Sequence, residues 1–168
     1  MEEIVNRIAK SPLVSIDLEE FFPTDACIEI DITQWLHQGL ILREKDFREQ
    51  LNAHDWSQYK EANIALYCSA DAILPGWAFL LITAHLQPFA KKIVIGNIYQ
   101  LYQSLYLEII NEIKLDAYLG KKVMIKGCSK KPVPENAFIY LAQRLLPVVD
   151  SLMYGEACST VPLFKKKK

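Results

Sequence analysis

Strand-like and helical patterns alternate along these 168 residues, which predicts an α/β protein built on a mostly parallel sheet of strand-helix repeats. Three observations carry that expectation. Strand-like runs at 63–68, 92–96, 121–126 and 151–155 are separated by helical stretches at 74–89, 98–113 and 134–146. The 98–113 stretch keeps a 3.6-residue period through Ile98, Leu101, Tyr102, Leu105, Tyr106, Ile109, Ile110 and Ile113. Finally, 14–21 and 27–32 alternate apolar and polar residues around Pro23-Thr24-Asp25, which reads as an amino-terminal antiparallel strand pair exposed on one face.

Each remaining element has a local reason. Residues 39–53 read as a helix, with Leu40, Phe47 and Leu51 on one side and Glu44 and Arg48 spaced for an i, i+4 ion pair. The 74–89 stretch is apolar almost all round (Trp77, Phe79, Leu80, Leu81, Ile82), which implies a buried helix. Residues 160–164 suggest a last strand. The length fits one domain over 1–168, with 1–38 as the strand-pair region and 165–168 as a flexible basic tail.

Composition narrows the function. An apolar share of 51% with 23% charged residues is ordinary for a globular protein, and a net charge of −1 gives no reason to expect nucleic acid or an anionic membrane as partner. The longest apolar stretch, Ile73 to Leu86, is too short to span a bilayer and contains Pro75 and Gly76. Met1-Glu2-Glu3 opens without a secretory signal pattern, so a cytoplasmic protein with reduced thiols is expected. No glycine-rich phosphate loop follows a strand and no G-x-S-x-G elbow occurs.

A weak repeat runs through the chain. Pro75, Ala78-Phe79, Leu86, Pro88 and Gly96 recur as Pro134, Ala137-Phe138, Leu145, Pro147 and Gly155, a step of 59 residues (75 to 134). Shared turn chemistry supplies matching Pro and Gly by itself. It does not supply a cysteine, yet Cys68-Ser69 and Cys128-Ser129 head the two segments.

The third Cys-Ser pair, Cys158-Ser159, also follows a strand-like run, so three of the four cysteines share one context. In a parallel sheet those positions fall at the carboxyl edge, where Ser69 or Asp71, and Ser129, stand ready to cap the next helix and lower a thiol's pKa. Cys68, Cys128 and Cys158 are therefore candidate ligands for zinc or an iron–sulfur cluster. One alternative is a thiol enzyme or persulfide carrier with Cys68 or Cys128 as nucleophile. Another is a non-catalytic scaffold whose helix 98–113 packs on a partner or a second copy. Core packing is the plainest role for any single buried cysteine, and the expected one for Cys27. No C-x-x-C pair is present.

His54 precedes strand 63–68 and so belongs at the far edge of the sheet, which makes it a core-bracing or surface residue rather than a fourth ligand. His37 and His85 have no partner at metal-ligand spacing, and Asp71 and Glu156 fit capping or loop positions better than ligation.

The runs Gly39–Arg48, His54-Asp55-Trp56-Ser57-Gln58-Tyr59, Cys68-Ser69-Ala70-Asp71-Ala72, Lys126-Gly127-Cys128 and Tyr154–Pro162 resemble an uncharacterised bacterial family, domain of unknown function 2480. The resemblance covers essentially the whole chain. It implies an accessory role in iron–sulfur cluster or sulfur handling, with iron–sulfur assembly proteins as partners.

Overall fold

The computed structural model describes residues 13–127, 130–156 and 159–167. In chain order the elements are β1 (Leu13–Ile16), β2 (Cys27–Asp31), α1 (Glu44–Ala53), β3 (Asn63–Tyr67), α2 (Trp77–Leu86), β4 (Lys92–Ile95), α3 (Ile98–Glu112), β5 (Lys122–Ile125), α4 (Glu135–Leu145), β6 (Ser151–Glu156) and β7 (Ser159–Lys165). One-turn 3-10 helices at Leu18–Phe21, Ile32–Trp35, Trp56–Tyr59 and Leu115–Tyr118 complete the pattern. Among the described residues no helix is long and apolar enough to cross a membrane.

The strands form two sheets, one in each of two compact units. Pro23–Ser104 build the first unit, with a three-stranded parallel sheet in the order β2-β3-β4. In the second, the segment ending at Phe22 joins the segment beginning at Leu105. Its sheet has the order β1-β5-β6-β7, parallel except for the antiparallel β6-β7 pair. The division falls within α3.

The expected amino-terminal antiparallel pair does not form. β1 lies parallel to β5, with Val14 beside Val123, and β2 lies parallel to β3, with Ile28 beside Ile64. Two causes are visible. The Asp17 carboxylate accepts the Glu19 N–H at 2.9 Å and turns 18–21 into a 3-10 helix, ending the first strand at Ile16. Each amino-terminal strand is also drawn to a central strand whose apolar side chains need a neighbour on that flank.

Smaller shifts have local reasons. The helix expected from residue 39 starts at Glu44, because Gln38 and Gly39 adopt positive φ (52° and 70°) and His37 bridges to Ile41. The Glu44–Arg48 ion pair forms at 3.0 Å. The buried helix starts at Trp77 rather than 74, after Pro75-Gly76.

The two units repeat one design. In the first, Phe47 and Leu51 of α1 and Ala78, Ile82 and Leu86 of α2 pack with Ile64 and Leu66 of β3. In the second, Tyr106 and Ile110 of α3 and Ala137, Leu141 and Leu145 of α4 pack with Val123 and Ile125 of β5. Every one of these pairs is separated by the same 59 residues (47 to 106, 86 to 145). Backbone details follow suit. The Glu61 N–H donates to Phe89 O at 2.9 Å and the Gly120 N–H to Val148 O at 2.8 Å. Both residues are left-handed, with φ of 60° and 67°.

The first strands also correspond, at a shorter step. Ile16 precedes Asp17, which caps its 3-10 turn, and Ile30 precedes Asp31, whose Oδ1 accepts the Thr33 N–H at 3.0 Å. One copy of the strand–helix–strand–helix–strand design therefore runs uninterrupted from β2 to β4, inserted between the first turn and the first helix of the other.

The repeat makes checkable demands on single residues. Leu86→Ala and Leu145→Ala should each cost about 2–5 kcal/mol in urea unfolding, as buried truncations at equivalent sites. Glu61→Gly should stabilise by roughly 0.5–1 kcal/mol and Gly120→Ala should destabilise by about 1 kcal/mol, because both positions need a left-handed backbone.

Candidate functional site at the strand ends

Cys68 is the residue after β3, half-buried, with a free thiol whose S–H donates to the Ala70 carbonyl at 3.3 Å. Its neighbour Ser69 is fixed from the adjacent strand. The register sets Asp31, the last residue of β2, beside Tyr67. From there the Asp31 carboxylate accepts the Ser69 hydroxyl at 2.5 Å on Oδ2 and the Ser69 N–H at 3.2 Å on Oδ1. Partial burial of Asp31 disfavours its charge, but the Ser69 hydroxyl and the Thr33 and Ser69 amides outweigh it and hold the carboxyl below its usual value. One ionised side chain thus both caps the turn after β2 and anchors the loop that carries Cys68.

This differs from the expected capping role. Neither Ser69 nor Asp71 is at a helix start: α2 begins at Trp77, with Gly76 in the cap position and no side-chain cap bond. Pro134 holds that position before α4, again without a side-chain bond. A helix dipole acts over its first turn, so α2 does little for a thiol nine residues upstream.

The second unit has its own carboxylates at the corresponding place. Asp17 stands where Asp31 does, with the Lys126 ammonium 3.6 Å from its Oδ2. Glu19 Oε1 accepts the backbone N–H groups of Lys130 and Lys131, the latter at 2.7 Å. The Lys131 ammonium donates to the Glu19 carbonyl at 3.2 Å and lies 5.6 Å over the Phe22 ring. The loop after β5 is tied down just past Ser129.

Cys128 and Cys158, the other two predicted ligands, lie outside the described residues. The strands that precede them, β5 and β6, are paired neighbours, with Ile125 beside Tyr154, whereas β3 belongs to the other sheet. The single carboxyl edge expected for all three cysteines is thus divided between two sheets. Among the described residues no group of three or more His, Cys, Asp or Glu is placed to hold a metal ion. Cys27 starts β2, and burial, with the charge of Asp25, pushes its thiol pKa up despite the Asn63 amide 3.9 Å away.

His54 belongs to an aromatic cluster. Its Nε2 is 3.0 Å from the Tyr59 hydroxyl, and its ring stacks on Tyr59 and meets the edges of Trp35 and Trp56. His85 stacks on the other participant, Trp56, at 5.3 Å. Trp56 Nε1 donates to Leu51 O at 2.8 Å, joining the cluster to the end of α1. Burial lowers the His54 pKa, opposed by the charge of Asp55. The ring braces the core, as its place before β3 suggests. The Asp31–Ser69 link went unseen in the sequence, although one signal was available: both amino-terminal strands end in Ile-Asp, at Ile16-Asp17 and Ile30-Asp31.

Fold and site together define a mixed α/β protein made of two nested parallel-sheet units, each with a carboxylate-anchored loop after its central strand. Residues 2–166 match the family described as Protein of unknown function (DUF2480), and the chain belongs to that family. No curated protein and no solved structure gives a match.

The titrations have opposite chemical origins and one direction. A histidine whose native pKa is below 6.5 resists protonation that the unfolded chain accepts. Stability should therefore drop as pH falls below about 6.5 and level off beneath the native His54 pKa, and His54→Gln should flatten that stretch of a urea-midpoint profile. Asp31 contributes fully above its unfolded pKa of 3.8, and its contribution is lost as pH falls through the lower native value. Asp31→Ala should cost about 1–2 kcal/mol at pH 7 and clearly less at pH 3.

Proposed function

We propose that the chain binds a soft metal ion, zinc or the iron of an iron–sulfur cluster, through the thiolates of Cys68, Cys128 and Cys158. The observation that carries this reading is the Cys-Ser pair following the central strand of each unit, β3 and β5, within a design repeated residue for residue around it. A soft-metal centre needs thiolates presented by anchored backbone, and the clamp from Asp31 to Ser69 anchors the Cys68 loop. Cys128 and Cys158 stand three and four residues beyond the paired positions Ile125 and Tyr154, a spacing that suits two ligands from neighbouring strands. Each thiol gives up its proton on binding, so uptake releases acid. Such a protein would serve iron–sulfur cluster assembly in the cytoplasm, where thiols stay reduced.

The thiol-nucleophile reading has less in its favour. The Cys68 S–H is engaged as a donor to a carbonyl, and no helix start or cation is in contact with it.

Anaerobic purification followed by metal and acid-labile sulfide analysis and absorption spectroscopy tests the proposal. Bound zinc, or iron with sulfide, should be present in the wild type and lost in the Cys68→Ser, Cys128→Ser and Cys158→Ser variants. A protein that is isolated free of metal and takes up neither zinc nor iron, with all three variants folded, contradicts it.

A further inference from the structure

The amino edge of the four-stranded sheet carries a dense, unneutralised cluster of lysines. Lys122, Asp150, Ser151, Lys165, Lys166 and Lys167 line a cleft of about 450 Å³. A second cleft, lined by Leu13, Val14, Gly120, Lys121, Lys122 and Asp150, shares Lys122 and Asp150 with it. Backbone pairing holds these residues in place. Lys165 is the last residue of β7 and pairs with Ser151, the Lys166 N–H donates to Asp150 O at 2.8 Å, and the Asp150 N–H donates to Lys121 O at 2.9 Å. The basic end of the chain is strand and strand extension here. None of the five lysines is in an ion pair with a described residue, and all five are exposed.

The other unit is an internal control. At the steps of 59 residues, Lys121 and Lys122 correspond to the buried Ala62 and Asn63, and Asp150 corresponds to Lys91. There Lys91 is neutralised by Asp25 at 2.9 Å and Glu61 at 3.4 Å. The fold is thus built at one edge with balanced charge and at the other with five ammonium groups around one carboxylate. The architecture does not require the second arrangement, and in a chain of net charge −1 it is a local concentration of positive potential.

We propose that this edge binds a chain of linked phosphates, either free polyphosphate or the phosphate tail of a nucleotide. Lysines are compact point donors suited to high charge density, and neither aromatic nor arginine side chains line the two clefts to stack on a base or grip one carboxylate in a fork. The concavity suits a small flexible polyanion.

Calorimetric titration of the full chain with sodium tripolyphosphate, ATP and inorganic phosphate tests this. Tripolyphosphate should bind, with affinity falling roughly tenfold or more from low to physiological salt. The Lys122→Gln/Lys166→Gln variant should weaken it at least tenfold, while Lys45→Gln/Lys60→Gln, which alters exposed lysines elsewhere, changes it less than twofold. Unaltered circular dichroism melting in both variants keeps the comparison sound. ATP binding no tighter than tripolyphosphate identifies the phosphate chain as what is read. Absence of tripolyphosphate binding at low salt, equal binding of monophosphate, or equal losses in the two variants overturns the proposal, as does binding of ATP without tripolyphosphate.

Discussion

A parallel strand buried on both faces has to find hydrogen-bonding neighbours on both flanks, since water reaches neither its amides nor its carbonyls. β3 and β5 are such strands: Ile64, Ala65 and Leu66 are fully buried, as are Val123, Met124 and Ile125. A helix after each strand brings back one neighbour, β4 or β6, by crossover. The other flank stays open unless an earlier stretch of chain fills it. β2 and β1 fill those two places, and the nested order of the molecule follows from that requirement. The strand nearer the first helix serves the inner unit, and the strand before it has to serve the outer one.

That constraint also explains which parts of the fold were legible from sequence. The crossovers were, because helical periodicity in 98–113 and the buried helix around Phe79 to Ile82 are local signals. The repeat was visible through Pro75 and Pro134, and proved more extensive in the fold, reaching Phe47 and Tyr106, where an aromatic ring is kept but the residue changes. The pairing of β1 and β2 was not legible. Alternation such as Cys27-Ile28-Glu29-Ile30-Asp31 is the same for an antiparallel hairpin strand and for a parallel edge strand, and partners more than 30 residues away leave no mark on it. The division into two sheets was hidden for the same reason.

The candidate site was legible in part. Cys68 lies at a strand end as the Cys-Ser pattern suggests, and His54 is in a core cluster as its position before β3 suggests. The clamp between Asp31 and Ser69 was missed because it joins residues 38 apart in the chain. Its consequence is chemical as well as structural. An ionised carboxylate absorbs the donors of the Cys68 loop, and its hydrogen bonds, not a helix dipole, organise that loop. In the outer unit Glu19 performs the comparable task from the turn after β1. The lysine edge was read as a tail, because the pairing of Lys165 with Ser151 is again a long-range fact.

The nested pairing of the two amino-terminal strands is the central claim, and amide and α-proton NOEs measured by NMR test it most directly. Parallel contacts between β1 and β5, around Val14 and Val123, and between β2 and β3, around Ile28 and Ile64, are the predicted result. Close α-proton contacts between residues 13–16 and 27–31, the signature of an antiparallel hairpin, would contradict it.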